Sequence, residues 1–422
     1  MKIGIIGGGS TYTPELIEGL IGRAGAIGLA EVVLMDNDPE RLAIVGEFAK
    51  RMVTHAAAPF RVVLTAKRAE ALDGASFVLT QFRVGHQQAR HQDELLGLRH
   101  SLIGQETTGI GGMAKALRTL PVIFDICDEM DRLAPGAWLL NFTNPSGLVT
   151  EGILNHTPVK RAIGLCNVPI DMKMTVAKFF GVDESEIDME FVGLNHLGWI
   201  RRVAIKGEDI TARVLEFLAS DQGPANIPDV DYKPELIRAL GAVPLYYNRY
   251  YYNTERVLAQ LQAKPKTRAE EVIDIENKLL AKYADPKQVT KPPELDERGG
   301  AYYSKIAVQL IEAIANDTGD EMVVNTQNRG AIPDLPATSV VEITARIGKD
   351  GATPRHVAPL EPSVRALIQR AKAYEELTVE AAKTRSYDAA LRAIFTNPLG
   401  PTADRAKPVL DDLLATNALD YR

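Results

Sequence analysis

The sequence predicts an α/β protein in which an N-terminal Rossmann-like doubly wound sheet is followed by an α+β domain, as in lactate and malate dehydrogenases. Short apolar runs alternate with helical stretches through residues 1–187. The first run, residues 3–6, leads into three consecutive glycines and then a helix, which is typical of the first unit of such a sheet. Because the pattern changes at about residue 187, we expect one domain over residues 1–187 and a second over 188–422.

Length, charge and cysteine usage narrow the class of protein. A chain of 422 residues exceeds the usual size of one hydrophobic core. The net charge of -7 argues against a nucleic-acid-binding surface. The two cysteines, Cys127 and Cys166, are too few for a disulfide framework and fit a reducing compartment. Without a signal peptide or a membrane-length apolar run, we expect a cytoplasmic protein with no membrane partner.

The glycine turn predicts a dinucleotide site. Gly7 and Gly9 allow the backbone to approach a pyrophosphate, and Ser10 leads into the helix whose N-terminus would bind it. The match to G-x-G-x-x-G is partial, because Tyr12 replaces the third glycine. A second strand ends in Asp36, which can accept from a ribose 2′-hydroxyl and repel a 2′-phosphate, so NAD is favoured over NADP. The alternative is an ordinary glycine turn beside a surface aspartate.

The remaining elements follow from apolar periodicity. Strands are predicted over residues 31–36, 61–65, 76–81, 137–142, 161–165, 201–206 and 337–347, with a strand and turn over 189–200. Helices are predicted from Pro14 and over residues 113–132, 233–262, 268–283, 302–316, 360–396 and 405–416. Loops are predicted over the Gly- or Pro-rich residues 104–112, 222–234 and 284–300.

Polar side chains follow the predicted strands at the edge where open α/β sheets bind ligands. Arg83 and Arg90 follow the fourth strand, where guanidinium groups suit a carboxylate or phosphate, although solvated surface arginines are also common. Asn141 and Asn144 follow the fifth strand, and their amides could reach a nicotinamide and a substrate. Cys166 ends the sixth strand, where its alternative role is that of a small buried hydrophobe.

A second chemical signal comes from His196, which also lies at a strand end. A thiolate and an imidazole in surroundings without a carboxylate could hold a divalent transition metal and leave positions open for substrate oxygens. A lone histidine is more often a hydrogen-bonded structural residue.

Residues 246–252 contain five tyrosines. Most should pack against the first domain, and one could act as a general base if a cation or metal lowers its pKa.

Taken together, these segments resemble glycoside hydrolase family four, the NAD- and metal-dependent glycosidases, and in particular its 6-phospho-β-glucosidase branch. The resemblance covers nearly the whole chain. It is carried by the segments at residues 7–16, 83–85 with Ala89 and Arg90, 104–109 (Gly-Gln-Glu-Thr-Thr-Gly), 141–147 (Asn-Phe-Thr-Asn-Pro-Ser-Gly), 166–169 (Cys-Asn-Val-Pro), 193–196 (Gly-Leu-Asn-His) and 298–301 (Arg-Gly-Gly-Ala).

The resemblance implies roles for individual residues. A divalent ion, usually manganese, would bind to Cys166 and His196. The family's substrate contacts correspond to Arg90, Asn144 and Arg268.

The acid and base assignments also follow from the resemblance. The family's basic tyrosine aligns with Tyr247, and its neighbour Tyr246 is the alternative. Where the α-glycoside branch has an acidic aspartate after the metal cysteine, this chain has Asn167, which we assign as a substrate contact. Glu106 is then our candidate for the general acid.

The implied activity is hydrolysis of β-glucosides, with or without a 6-phosphate. Oxidation at C3 of the sugar by NAD is followed by C2 deprotonation, loss of the aglycone, addition of water and re-reduction. Family members are usually dimers or tetramers, so we expect a homodimer or homotetramer.

Two other functions fit parts of the pattern. A malate-type 2-hydroxyacid dehydrogenase shares the two-domain plan, but it predicts net NADH production and no metal, and it gives Cys166 no task. In a non-catalytic NAD sensor, Tyr247 and His196 would be packing residues.

Overall fold

The computed structural model describes residues 1–218, 232–298 and 302–422. Its first half alternates strands and helices. These are β1 (Lys2–Ile6), α1 (Thr13–Arg23), β2 (Glu31–Met35), α2 (Pro39–His55), β3 (Arg61–Thr65), α3 (Arg68–Leu72), β4 (Phe77–Thr80), α4 (His86–Arg99), α5 (Gly109–Leu133), β5 (Trp138–Asn141), α6 (Ser146–His156), β6 (Ala162–Gly164) and α7 (Val168–Phe180).

The second half mixes antiparallel strands with helices. Its elements are β7 (Ile187–Leu194), β8 (Leu197–Ile205), β9 (Glu208–Asp209), α8 (Thr211–Leu218), α9 (Pro234–Leu240), β10 (Val243–Pro244), α10 (Arg249–Tyr252), α11 (Thr254–Ala263), α12 (Arg268–Ala284), α13 (Tyr303–Asn316), β11 (Glu321–Gln327), β12 (Val340–Gly348), β13 (Gly351–Pro354), α14 (Pro362–Thr384), α15 (Tyr387–Thr396) and α16 (Ala403–Thr416). Short 3₁₀ helices lie at Glu184–Glu186, Tyr246–Asn248 and Pro293–Arg298.

One hydrogen-bonded sheet runs through both halves. Its first part is parallel, in the order β3-β2-β1-β4-β5-β6, which is the doubly wound order of a dinucleotide-binding fold. The prediction of a Rossmann-like sheet is therefore confirmed. Beyond β6 the sheet continues antiparallel through β11, β12, β7, β8 and β10. A domain boundary between residues 187 and 188 stays a prediction.

Burial on both faces of the parallel strands explains why their sequences are continuous apolar runs. On one face, Ile3 and Ile5 of β1 belong to the same core as residues of α1 and α13. On the other face, Ile6 and Val78 share a core with α5 and α6. No helix in the three described ranges has the length and hydropathy that a membrane span requires.

The prediction of one helix over residues 233–262 is wrong. α9 ends at Leu240 because Gly241 adopts a left-handed backbone with φ 58°. Val243 and Pro244 then pair with β8 at its edge, a position that does not need the missing N–H of proline. The predicted helix over 360–396 is likewise two helices, because Arg385 after α14 has φ 53° and the hydroxyl of Ser386 caps α15.

Two boundaries and one strand also differ from the prediction. β8 begins at Leu197, not at Arg201, so residues 187–205 form one hairpin. The predicted loop over residues 104–112 ends at Thr108, and α5 begins at Gly109. β11 was not predicted, because its buried positions include Asn325 and Thr326, which interrupt an apolar pattern. Most of the predicted loop at 222–234 and residues 299–301 lie outside the described residues.

Candidate active site

A cleft of about 1210 Å³ opens at the carboxyl ends of the parallel strands. This volume exceeds that of ordinary small-molecule pockets, so a dinucleotide and a second ligand can share it. All but one of the predicted site residues line the cleft, namely Gly7, Gly9, Ser10, Asp36, Arg90, Glu106, Asn144, Cys166, Asn167, His196, Tyr247 and Arg268.

The glycine turn is built for close backbone approach. The N–H groups of Gly7 and Gly8 both donate to the Met35 carbonyl, at 2.9 and 2.8 Å, and Gly7 has φ 95°. The N–H of Gly9 donates to Asp36 Oδ2 at 2.8 Å, and a Cβ on Gly9 would lie 2.9 Å from that oxygen. Side chains are therefore excluded here, and the cradle before α1 fits a pyrophosphate.

Ser10, which was predicted, lies in the turn, and its N–H donates to the Gly7 carbonyl at 3.1 Å. Two further polar residues near the turn, Arg41 and Glu276, were not predicted from the sequence. Arg41 lies beside the turn, where its Nε is 3.4 Å from the Gly9 carbonyl oxygen, and it pairs with the buried Glu276 at 3.2 Å. The only sequence signal for Arg41 is its position in the first turn of the helix after Asp36.

Asn141 does not line the cleft, so the prediction that its side chain contacts the cofactor is corrected. The residue is fully buried, and its Oδ1 accepts from the Thr80 hydroxyl at 2.9 Å. Its Nδ2 lies within hydrogen-bond distance of the carbonyls of Thr143 and Ser146, at 3.2 and 3.3 Å. With its polar atoms occupied inside the fold, the amide shapes the loop that carries Asn144.

Asn144 and Asn167 present partly buried amides to the cleft. Asn144 is bound locally, because its Nδ2 donates to the Phe142 carbonyl at 3.2 Å and its Oδ1 accepts from the Ser146 N–H at 3.3 Å. Asn167 is the N-cap residue of α7 and makes no side-chain cap hydrogen bond. Its amide is therefore not committed to capping the helix.

Cys166 and His196 converge as the sequence analysis expected. Cys166 Sγ lies 3.5 Å from His196 Nε2, and the two residues are 3% and 5% exposed. Sulfur and nitrogen ligands of one tetrahedral ion, with bonds of about 2.3 and 2.1 Å, lie roughly 3.5 Å apart, so the pair fits a shared metal. The described ranges contain no group of three such ligands. The pair alone would leave an ion open to substrate oxygens.

The protonation states of the pair follow from burial. Burial lowers the pKa of His196 to about 3, so its imidazole is in the neutral form that binds metals. Burial raises the pKa of the Cys166 thiol, and the nearby Glu342 raises it further. A carboxylate is thus close to the pair, and our expectation of surroundings without one was wrong. Glu342 comes from β12, far away in sequence.

Glu106 is surrounded by cations. It pairs with Arg83, with Arg90 at 3.3 Å and with Lys115 at 2.8 Å. Burial opposes its ionisation, but the three cations hold its pKa well below 4.5. A carboxylate that is ionised at neutral pH has no proton to donate, so the role of general acid assigned to Glu106 is corrected.

Lys115 was missed by the sequence analysis, because it lies within the apolar helix α5. Its side chain is 3% exposed. Burial and the charge of Arg83 lower its pKa to about 7, since one carboxylate cannot compensate three cations.

Tyr247 lies face to face with His196, with ring centroids 4.0 Å apart and an interplanar angle of 5°. Burial raises the pKa of Tyr247 most, and the neighbouring Tyr250 raises it further, whereas the charge of Arg90 lowers it. Tyr246 is the next ring, with its centroid 4.9 Å from that of Tyr247. Of the two, Tyr247 is the one that stacks on the proposed metal ligand.

Arg268 stands at the start of α12, on the wall of the cleft. Its side chain is 45% exposed, and its Nη1 pairs with Glu271 at 2.9 Å. Unlike Arg90, whose side chain is 13% exposed, Arg268 can exchange its protein contacts for a ligand with little rearrangement.

Sequence profiles of two domains match the chain. One, described as "Family 4 glycosyl hydrolase", matches residues 2–182, and the C-terminal domain of the same family matches residues 191–400. A Bacillus subtilis (strain 168) protein named "Probable 6-phospho-beta-glucosidase" is 44% identical over 98% of this chain and 96% of its own.

Solved structures agree with the profiles. A 6-phospho-β-glucosidase from Thermotoga maritima, solved with manganese, NAD+ and glucose-6-phosphate, is 36% identical with a TM-score of 0.93, and the match covers 100% of this chain and 99% of that one. Malate dehydrogenase from Aeropyrum pernix is 15% identical with a TM-score of 0.54, over 90% and 97% of the two chains, and shares the fold alone. The dehydrogenase-like architecture is thereby confirmed. The chain belongs to glycosyl hydrolase family 4.

Proposed function

We propose that this protein hydrolyses 6-phospho-β-glucosides with the help of NAD and a divalent metal, most suitably Mn²⁺. The observation that carries the proposal is that one cleft contains both the glycine turn and the Cys166–His196 pair. The names of the Bacillus subtilis relative and of the Thermotoga maritima structure support the same substrate class. A malate-type dehydrogenase would leave the Cys166–His196 pair without a task.

In this proposal the cleft residues divide into three groups. Gly7, Gly9, Ser10 and Asp36 hold NAD, and Cys166 with His196 holds the metal. When bound, NAD supplies a hydride acceptor for C3 of the sugar and the metal supplies a Lewis acid for the C3 oxygen. The third group binds the sugar and moves its C2 proton.

Tyr247 is proposed as the base that accepts the C2 proton. The phenol must first lose its own proton to act as a base, and a buried phenol ionises at neutral pH only beside positive charge. Arg90 supplies such a charge, and the proposed metal ligand His196 packs against the ring of Tyr247. Glu106 then serves as the counter-ion that holds Arg83 and Arg90 in the cleft.

Arg90, Asn144, Asn167 and Arg268 are proposed to bind the sugar. Amide groups suit hydroxyls, and a guanidinium suits an anion. Arg268 is the better candidate for the 6-phosphate, because it is more exposed than Arg90. We further propose two domains over residues 1–187 and 188–422, a cytoplasmic location, and a homodimer or homotetramer.

The test is an assay with p-nitrophenyl β-glucoside 6-phosphate, Mn²⁺, NAD⁺ and a reductant that keeps Cys166 reduced. We expect aglycone release only when both Mn²⁺ and NAD⁺ are present, with no accumulation of NADH. The unphosphorylated glucoside is the control, and we expect much slower release from it. Steady NADH production without aglycone release would contradict the proposal and favour a dehydrogenase.

A further inference from the structure

Three polar side chains, two of them buried and one partly buried, meet where the parallel part of the sheet joins the antiparallel part. They are Asn195, in the turn between β7 and β8, Asn325 on β11 and Glu342 on β12. Asn325 and Glu342 are 0% and 1% exposed. Buried polar groups are costly, so a cluster of three calls for an explanation.

The cluster connects the two proposed metal ligands. Glu342 Oε1 accepts from Asn195 Nδ2 at 3.1 Å and from Asn325 Nδ2 at 2.8 Å. The side chain of Asn195 also lies close enough to the Cys166 thiol to lower its pKa, and Asn195 immediately precedes His196. One oxygen of Glu342 therefore orients the Asn195 amide, which lies near Cys166 and belongs to the turn of His196.

The sheet register adds a second connection. β11 pairs with β6 at Asn325, which lies opposite Gly164, two residues before Cys166. Glu342 lies opposite Asn325 on one side and opposite Gly193 on the other. A Cβ on Gly164 would lie 2.9 Å from Asn325 Cβ, so the strands meet here without spare room.

We propose that Glu342, acting through the amides of Asn195 and Asn325, is a positioning residue that sets the spacing of Cys166 and His196 for a divalent cation. This inference rests on the proposed function, because it takes that pair as the metal site. Residues that hydrogen-bond to metal ligands commonly set the orientation of those ligands. Loss of such a residue typically weakens metal binding by about 10- to 100-fold.

A direct test measures the binding of Mn²⁺ by calorimetry and of Co²⁺ by its thiolate-to-metal absorption, in the absence of substrate. The variants are Asn195→Asp and Asn325→Asp, which keep the shape but replace the amide donor with an acceptor that faces Glu342. Glu342→Gln is the conservative variant, because its amide oxygen can still accept a hydrogen bond.

Asn328→Asp is the matched control. Asn328 is also fully buried and follows β11, but its amide donates to the carbonyls of Ile332 and Leu335, away from Cys166. Thermal unfolding and NAD binding identify variants that have lost the fold. If one of the two test variants does not fold, the other supplies the result. A crystal structure of Glu342→Gln with Co²⁺ gives the distance between Cys166 Sγ and His196 Nε2.

We expect Asn195→Asp and Asn325→Asp to weaken Mn²⁺ binding by about tenfold or more and to change the Co²⁺ spectrum, with Glu342→Gln closer to the wild type. Wild-type metal affinity in the folded test variants would overturn the inference, as would equal weakening in Asn328→Asp. If instead the wild-type protein shows no thiolate-to-Co²⁺ band, or Cys166→Ser retains one, the proposed metal pair itself fails.

Discussion

The rings of His196 and Tyr247 stack almost in parallel, with 5° between their planes and 4.0 Å between their centroids. His196 is held at the turn of a β-hairpin, and Tyr247 comes from the 3₁₀ segment after β10. The contact places a candidate base directly against a candidate metal ligand. It therefore distinguishes Tyr247 from the other tyrosines at residues 246–252.

We predict that Tyr247→Phe abolishes exchange of the sugar's C2 proton with solvent, because phenylalanine keeps the stack but cannot accept a proton. Exchange is measured by NMR of substrate or product in D₂O. Tyr246→Phe is the matched control and should retain exchange. If Tyr246→Phe loses it and Tyr247→Phe does not, the base has been assigned to the wrong neighbour.

Cys166→Ser should weaken Mn²⁺ binding by about 100-fold, because a hydroxyl is a far poorer metal ligand than a thiolate. NAD affinity, measured by calorimetry, should change by less than about twofold, since the cofactor cradle is formed by the glycine turn. Cys127→Ser is the control, because Cys127 is buried within α5. Unchanged Mn²⁺ affinity in Cys166→Ser would remove the thiol from the site.

Asp36→Asn should reduce the preference for NAD over NADP by about tenfold, because it removes the charge that repels a 2′-phosphate. Asparagine can still accept from the Gly9 N–H, so the turn should persist. Asp38→Asn removes one charge two residues away, where Asp38 caps α2, and should leave the preference unchanged. The dissociation constants of NAD and NADP are measured for both variants. An equal change of preference in Asp36→Asn and Asp38→Asn would contradict the role assigned to Asp36.

Glu106→Gln should lower the free energy of unfolding near pH 7 by about 3–5 kcal/mol, because it removes the carboxylate that pairs with Arg83 and the buried Lys115. The folded-state pKa of Glu106 lies below its unfolded value of about 4.5, so its contribution is present above that pH and is lost as the pH falls through the folded-state pKa. The difference between wild type and variant should therefore shrink below about pH 4.5.

Denaturant unfolding over a pH series measures this difference. Glu31→Gln, which removes the partner of the exposed Arg61, is the control and should cost no more than about 1 kcal/mol. A difference for Glu106→Gln that instead changes between pH 7 and 4.5 and stays constant below 4.5 would mean that the folded-state pKa of Glu106 is raised and that the group is protonated in the folded protein at neutral pH.

The sequence could predict the parallel sheet and part of the site because both leave local signals. Continuous apolar runs mark buried strands, and Gly7, Cys166 and His196 stand at the ends of such runs, where ligands of α/β sheets bind. Tyr247 was placed by its surrounding motif. Structure adds the contact with His196 that the motif does not contain.

Other features depend on tertiary contacts that local patterns do not report. Lys115 and Glu342 lie inside an apolar helix and an apolar strand, so nothing nearby in sequence indicates that each faces a charged or polar partner. Asn141 was misassigned because it lies at a strand end, yet its amide turns inward to Thr80. The direction of a side chain at the last residue of a strand is set by its neighbours in the sheet.

The most direct test of the proposed mechanism is hydrolysis of p-nitrophenyl β-glucoside 6-phosphate by the wild-type protein in D₂O, with Mn²⁺ and NAD⁺ present. We expect one deuterium at C2 of the released glucose 6-phosphate, because the C2 proton is removed and then replaced from solvent. Rapid hydrolysis that leaves C2 fully protonated would contradict it.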